Sequence, residues 1–120
     1  MTLRSFDAPR RRSVPTSVSL DNGATFSIEP GTVFVAVKSH CDGCHAFLSA
    51  PDVAGWRTVP VATDAEIAAH AHVVASSALL TALDIRSAPF FVAVDGSPLE
   101  VVSEGVPFDL AHLAELLPVR

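Results

Sequence analysis

Tyrosine is absent from this chain, and tryptophan, methionine and cysteine are scarce: one Trp, one Met and two Cys among 120 residues. No apolar run approaches the roughly 20 residues that a membrane-spanning helix needs, so we expect no insertion into a bilayer. Two cysteines cannot build a disulfide-rich scaffold, and a chain of this length can bury a hydrophobic core without one. We therefore expect one globular domain whose cysteines are not needed as scaffolding.

Basic residues are scarce after position 12. Four of the eight lie at Arg4 and Arg10–Arg12, which leaves four basic residues against twelve acidic ones in the remainder of the chain. Such an acidic surface repels phosphate backbones, and without tyrosine it offers few rings on which bases could stack. We therefore expect no nucleic-acid partner, and we interpret residues 1–15 as a flexible arm before a domain over residues 16–120.

An export signal is not visible near this arm. Arg10–Arg12 is followed by the polar stretch "SVPTSVSLDNG", whereas an export signal would continue with an apolar segment of about 7 to 15 residues. The default prediction is a cytoplasmic protein, or an extracytoplasmic one if an anchor or export route lies outside this chain. In a reducing cytosol, a close cysteine pair is more often catalytic or metal-binding than structural.

Short strands alternate with helical segments along the chain. Asp21-Asn22-Gly23 predicts a tight turn between two short strands, and the β-branched run Thr32–Val37 predicts a strand in the middle of a sheet. Pro60 predicts an edge position for its strand, and Thr63 with Glu66 predicts a capping box before an alanine-rich helix. The other predicted elements are a helix over Cys44–Ala50, a helix from Ser76 or Ser77, strands over Ala88–Val94 and Leu99–Ser103, and a helix over Phe108–Leu117. This order predicts an α/β fold: a mixed central sheet flanked by helices, with an N-terminal β-hairpin extension.

Both cysteines lie in the stretch "KSHCDGCHAF", between the predicted central strand and the next helix. The unpaired N–H groups at the start of a helix favour a thiolate over a thiol. A second cysteine one turn later can attack the mixed disulfide that the first one forms, and so release the substrate. The pattern therefore predicts a redox pair in which Cys41 attacks and Cys44 resolves.

Three other interpretations of this stretch stay open. Cys41 and Cys44 could be small core side chains, since free cysteine is often buried. With the flanking His40 and His45 they could bind a metal ion, although four ligands within six residues would form a strained tetrahedral site. "CDGCH" also matches the short C-x-x-C-H motif for covalent haem attachment. The redox hypothesis requires no cofactor, and it explains why the only two cysteines lie together at a strand-to-helix junction.

The order of the segments resembles the thioredoxin-like superfamily: the strand "TVFVAV", then "SHCDGC" at the start of a helix, then the proline-led strand "SAPFFVAVDG" and a closing helix. The hairpin "VSLDNGATFSI" is similar to that of the TlpA and ResA branch of redoxins, and the MauD-type disulfide-handling proteins of methylamine utilisation are more similar still. The resemblance covers most of residues 16–117, but only the cysteine motif and the Pro89 segment are specific. It implies a cis peptide bond before Pro89 and a substrate groove shaped by Ala88 and Pro89.

The chain departs from the family pattern at positions that bear on proton transfer. His40 stands where thioredoxins usually carry tryptophan, and Gly-Pro does not separate the two cysteines. The acids that many of these proteins place six residues before or after the first cysteine are replaced by Val35 and Phe47. His40 and His45 are therefore the candidates for proton transfer, because histidine changes its charge near neutral pH.

The resemblance implies a thiol–disulfide oxidoreductase, an enzyme that acts on protein cysteines by way of a mixed disulfide. Its partners would be cysteine-containing polypeptides, held through their backbone beside Pro89, and a redox partner that the sequence does not identify. The alternative is a thioredoxin-like domain that binds a metal or a protein partner without disulfide turnover. A metal ion would then be bound by His40, Cys41, Cys44 and His45.

Overall fold

A computed structural model describes residues 12–119 of the chain. Strands, 3-10 helices and α-helices follow one another along this part of the chain. In order they are β1 (Ser17–Ser19), β2 (Thr25–Ser27), β3 (Thr32–Val37), the 3-10 helix η1 (Asp42–Phe47), β4 (Arg57–Ala62), the 3-10 helix η2 (Ile67–Ala69), α1 (Ser77–Ala82), β5 (Phe90–Asp95), β6 (Glu100–Gly105) and α2 (Leu110–Leu116). Over residues 12–119, no helix has the length and apolar character needed to cross a membrane.

The main sheet is mixed and has the strand order β4-β3-β5-β6. β3 runs parallel to β4 and antiparallel to β5, and β5 runs antiparallel to β6. β1 and β2 form a separate antiparallel hairpin, in which Val18 pairs with Phe26. Gly23 in the turn has a φ of +92°, a conformation that glycine adopts without steric cost. The predicted mixed α/β architecture with an N-terminal hairpin is confirmed.

β3 lies in the middle of the sheet, and all six of its residues are buried. Successive side chains of a strand point to opposite faces, so β3 contributes to two apolar clusters. Phe34 and Ala36 pack with Leu79 and Leu83 of the α1 region, whereas Val33, Val35 and Val37 pack with the other cluster. This second cluster also contains Cys44 and Phe47 of η1 and Leu113 of α2. Helical segments therefore cover both faces, which explains why β3 is apolar throughout.

β4 is an edge strand, as Pro60 predicts. Proline has no N–H group to donate. On the outer side of an edge strand this costs nothing, because no neighbouring strand there needs an N–H donor. The carbonyl oxygen of Pro60 nevertheless accepts a hydrogen bond of 2.8 Å from the N–H of Val74, a residue of the segment before α1. The outer side of β4 is thus partly covered by a single bridge between Val61 and Val74.

The helix predicted over Cys44–Ala50 differs in bounds and type from the observed one. The segment is a 3-10 helix that begins at Asp42 and ends at Phe47. Asp and Gly between the cysteines have low α-helix propensity, and Ala50, with a φ of +52°, leaves the helical region just before Pro51. The result is a short element with a much smaller dipole than the α-helix that the sequence predicts.

The capping box predicted at Thr63 and Glu66 is wrong. The Thr63 hydroxyl donates to the carbonyl oxygen of Val37, and the N–H of Ile67 is capped by the Asp64 carboxylate at 2.9 Å. Only the three-residue η2 follows, and the next helix starts separately, because Ser76 caps the Leu79 N–H at 3.0 Å. The start of α1 at the predicted serines is confirmed.

The predicted arm, residues 1–15, falls mostly outside the described residues. Its last residues lie along β6: the Val14 N–H donates to the Leu99 carbonyl oxygen, and the Arg12 carbonyl oxygen accepts from the Val101 N–H, both at 3.0 Å. Val14 is buried in the core cluster on the α1 face. Arg12 forms two hydrogen bonds with Glu104, at 2.9 and 3.0 Å, so its charge is paired.

Candidate redox site

The sheet brings the cysteine motif and the Pro89 segment to the same end of the fold. The motif follows the last residue of β3, Val37. Because β5 runs antiparallel to β3 and Phe90 pairs with Ala36, the start of β5 lies beside the end of β3. Pro89, the residue before β5, is therefore adjacent to the motif although it lies more than forty positions away in the sequence.

Cys41 and Cys44 are joined by a disulfide, with their Cα atoms 5.4 Å apart. Cys41 is the N-cap of η1 and Cys44 lies three residues later in its first turn, so the local conformation places the two side chains together. The N–H of Cys44 donates to the carbonyl oxygen of Cys41 at 3.1 Å. Cys41 is partly exposed, whereas Cys44 is only 1% exposed and belongs to the buried cluster on the α2 face. Only one of the two sulfurs is therefore open to a partner.

Pro89 packs against the cysteine motif. A Cβ atom added to Gly43, between the cysteines, would lie 3.8 Å from Pro89 Cγ, which is an ordinary van der Waals distance. The peptide bond between Ala88 and Pro89 is cis, as the resemblance implies. Ala88 is partly buried and packs against the clusters on both faces of the sheet. Of the predicted site residues, these two are thus brought next to the cysteines by the fold.

A cavity of about 230 Å³ opens beside Cys41. Its walls come from the turn after β3, from η1 and from the η2 region. The residues that line it are Lys38, Ser39, His40, Cys41, Asp42, His45, Leu48, Glu66, Ile67 and His70. Cys44 is not among them, so the cavity gives access to the first cysteine. Both histidines predicted for proton transfer lie on this cavity.

His40 occupies the turn immediately before Cys41 with a φ of +56°, in the left-handed region that non-glycine residues rarely adopt. Its Nε2 lies 3.3 Å from Glu66 Oε2, and the His40 side chain is 83% exposed. An ion pair so open to solvent is weak, because water and salt screen it. The contact brings the His40 side chain next to Glu66, the residue immediately before η2.

Asp64 fixes the turn that carries His40, and sequence reasoning missed this role. Its Oδ2 accepts hydrogen bonds from the N–H and the hydroxyl of Ser39, both at 2.9 Å, while Oδ1 accepts from the Ile67 N–H. These bonds, the Ile67 one most strongly, hold the pKa of the Asp64 carboxyl below its usual value. An aspartate directly after a strand is a common helix cap, and this signal could have indicated it in place of Thr63.

His70 is a second residue whose position sequence reasoning missed. It lies at the C-terminal end of η2. The turn from β4 through η2 also brings it to the cavity beside Cys41, more than twenty positions from the motif. No local pattern could have shown this, because the contact depends on how η2 packs. His72, two residues later, is exposed and does not line the cavity.

The metal hypothesis gains no geometric support. Over residues 12–119, no group of three or more His, Cys, Asp and Glu side chains is arranged to hold a metal ion. The two sulfurs of the predicted ligand set are bonded to each other, and Cys44 is buried whereas His40 and His45 are exposed. His40, Cys41, Cys44 and His45 thus do not form a joint ligand set in this form of the protein.

Comparison with known proteins adds no relative: no protein-family model matches the chain, and no curated protein or solved structure matches it significantly. The function must therefore be argued from the disulfide, its surroundings and the sheet that positions it. What this arrangement can do chemically is limited by the one accessible sulfur. Cys41 lines the cavity, so a partner thiol can approach its sulfur from there, whereas Cys44 is buried and bonded to Cys41.

Proposed function

We propose that this protein is a thiol–disulfide oxidoreductase that acts on cysteines of polypeptides through the Cys41–Cys44 pair. The observation that carries the proposal is the disulfide itself, with Cys41 partly exposed on a cavity and Cys44 buried behind it. An attacking cysteine must be reached by the substrate, whereas a resolving cysteine needs only to reach the first sulfur. The asymmetry of exposure fits these two roles.

We further propose that the protein is a member of the thioredoxin-like superfamily, from the TlpA and ResA branch and nearest to the MauD type. Two features support this. The chain passes from a central strand through the cysteine motif into a helical turn, and later through a proline-led strand and turn into a closing helix. Pro89 also lies against the cysteine motif, as the family pattern requires.

Exchange with a substrate disulfide would proceed in two steps. The Cys41 thiolate attacks one sulfur of the substrate disulfide, the substrate S–S bond breaks, and one substrate thiolate leaves. The Cys44 thiolate then attacks Cys41 in the mixed disulfide, which forms the Cys41–Cys44 bond and expels the second substrate thiolate. The substrate gains two electrons, and the two protons lost by the protein thiols end on the substrate thiols. The reverse sequence oxidises a substrate dithiol.

The proton released from the thiols needs an acceptor. His40 and His45 lie on the cavity beside Cys41, and no carboxylate occupies the positions of Val35 or Phe47, which are fully buried. Histidine accepts and donates protons near neutral pH, so these two side chains are the proposed proton-transfer groups. The substrate backbone would lie beside Ala88 and Pro89, where an extended chain can pair with main-chain groups.

The proposal is tested by trapping the mixed disulfide. In Cys44→Ser the attack by Cys41 survives but resolution is blocked, so the variant should retain disulfide-linked polypeptides that reductant releases. Cys41→Ser is the matched control, since its remaining thiol is buried, and it should capture far less. Equal capture by both variants would contradict the assigned roles.

The reduction potential of the pair separates the proposal from its rival. Equilibration of wild-type protein in glutathione buffers of graded ratio should give a reversible two-electron transition, read by alkylation and mass spectrometry. Metal content is measured on the same sample after purification under reducing conditions. A stoichiometric metal ion with no measurable exchange would instead support a metal-binding domain without turnover.

A further inference from the structure

Three of the five histidines of this chain converge on the cavity beside Cys41. They come from three separate segments: His40 from the turn after β3, His45 from η1 and His70 from the end of η2. The proposed function uses at most two of them, and only as proton carriers. Because these histidines surround one sulfur, the net charge beside Cys41 depends on pH, and so does the charge of the substrates that the cavity attracts.

The formal charge of the cavity lining changes sign within the range in which histidine titrates. Besides the histidines, its charged residues are Lys38, Asp42 and Glu66. One lysine against two carboxylates leaves a charge of −1 when the three histidines are neutral, and protonation of all three makes it +2. Histidine changes its charge between about pH 5 and 8, and the carboxylates and the lysine keep theirs over most of that range.

The groups behind the lining do not cancel this change. Asp64 contacts two of the lining residues, and its oxygens accept three hydrogen bonds from Ser39 and Ile67. Its pKa lies below the usual carboxyl value, so its charge is constant over the same interval. Glu66 Oε2 lies 3.3 Å from His40 Nε2, and both side chains are largely exposed. In the reduced protein the attacking form of Cys41 is a thiolate, which adds −1 at every pH and makes the lining −2 with neutral and +1 with protonated histidines. The part of the local charge that varies among attacking molecules therefore comes from the histidines.

We propose that this histidine-lined cavity selects the substrates of the cysteine pair by charge, in a pH-dependent way. Cysteine peptides flanked by acidic residues are favoured when the histidines are protonated, and peptides flanked by basic residues when they are neutral. The inference rests on the proposed exchange activity at Cys41, and it adds the class of substrate and the residues that discriminate. His70 is the discriminating residue that lies outside the cysteine motif.

The expected size of this pH-dependent preference is set by the weakness of interactions between solvent-exposed charges. Each such interaction changes a rate by no more than a few-fold, so the preference for the acidic over the basic peptide should rise on the order of five-fold from pH 8 to pH 5.5 at low salt. Because the Debye length falls from about 30 Å at 0.01 M to about 3 Å at 1 M salt, high salt should remove most of this preference.

The test uses pre-reduced, desalted protein in single turnover, with a chelator present. The probes are three disulfide-linked peptides of equal length, whose cysteine is flanked by Asp, by Lys or by Ser residues. The rate for each peptide is divided by its rate with the neutral dithiol dithiothreitol, which cancels the thiol chemistry of the peptide itself. The measured quantity is the acidic-to-basic rate ratio against pH, for the wild type, His70→Gln and the control His72→Gln.

The expected result is a ratio that rises on acidification. The rise should be smaller in His70→Gln, by roughly a third if the three histidines contribute alike, and unchanged in His72→Gln. Glu66→Gln should shift the ratio toward the acidic peptide at every pH. A ratio that does not change with pH, or equal profiles for the two histidine variants, overturns the inference. Absence of exchange with the Ser-flanked peptide contradicts the proposed function itself, so the two failures are distinguishable.

Discussion

The carboxylate of Asp64 accepts hydrogen bonds from both the N–H and the hydroxyl of Ser39, each at 2.9 Å. These two residues are twenty-five positions apart, and their contact joins the end of β4 to the turn that carries His40 and Cys41. A second oxygen of the same carboxylate caps η2 at Ile67. One side chain thus fixes two walls of the cavity beside the accessible sulfur.

Asp64→Asn should weaken the acid dependence of folding stability. The hydrogen bonds from Ile67 and Ser39 lower the pKa of this carboxyl below its ordinary value of 3.8. A carboxyl with a lowered folded pKa stabilises the protein above the unfolded value, and this contribution is lost as the pH falls through the folded value. The urea midpoint of the wild type should therefore fall more steeply below about pH 4 than that of the variant.

The matched control for this prediction is Asp52→Asn. Asp52 is also exposed, and within residues 12–119 its side chain forms no hydrogen bond or ion pair. The urea midpoint of this variant should depend on pH as that of the wild type does, because the substitution removes a carboxylate that accepts no hydrogen bonds. If the urea midpoints of the wild type and Asp64→Asn depend on pH in the same way, the hydrogen bonds of the Asp64 carboxylate do not stabilise the folded state.

The two thiols of the reduced protein should differ in reactivity. Cys41 is partly exposed on the cavity, whereas Cys44 is 1% exposed. Since a buried thiol is shielded from reagents, Cys41 should be alkylated at least roughly ten times faster in the folded protein. Iodoacetamide labelling followed by peptide mass spectrometry measures both rates. In urea the two rates should become similar, and similar rates in the folded state would refute the asymmetry of the site.

Reduction of the disulfide should leave the protein folded and lower its stability only modestly. The closed loop is very short, so the chain-entropy model gives about 2 kcal/mol for this cross-link. The core does not depend on it, because two apolar clusters pack on the two faces of the sheet. Urea denaturation with and without reductant, followed by circular dichroism, gives the difference. Unfolding on reduction alone would mean that the disulfide is a structural staple.

Arg12→Ala should destabilise the fold by about 1 to 3 kcal/mol, the usual cost of leaving a buried hydrogen-bonding group without its partner. Arg12 makes two hydrogen bonds to Glu104 and donates a further one to the carbonyl oxygen of Leu83. Its side chain is only 20% exposed and that of Glu104 only 12%. Arg12→Lys should lose less stability than Arg12→Ala, since lysine keeps the positive charge but cannot form the bidentate hydrogen bonds of arginine.

Arg86→Ala is the control for this pair. Arg86 contacts Asp84 at 3.0 Å, but its side chain is 84% exposed. Pairs so open to solvent contribute between about 0 and 1 kcal/mol, so the change in urea midpoint should be small. Equal losses for the two variants would indicate that the partial burial of Arg12 is not what makes its contacts stabilising.

Several elements were predictable because their signals are local. Thr32–Val37 forms β3 with the predicted bounds, since an apolar β-branched run needs a sheet that is covered on both faces. Ser76 caps α1 as expected. The helix after the cysteines was predicted as an α-helix but is a 3-10 helix, because the balance between these two hydrogen-bonding patterns depends on packing around a six-residue segment.

The sequence by itself determined the alternation of strands and helices and the position of the cysteine pair between a central strand and a helical turn, since both depend on short-range propensity and spacing. Only the tertiary structure decided which sulfur is exposed, that Asp64 binds the turn at Ser39, and that His70 joins His40 and His45 beside Cys41. The contact of Asp64 with Ser39 and the approach of His70 to Cys41 join segments more than twenty positions apart. Their distances are set by how the strands pair and how η1 and η2 pack at the end of the sheet.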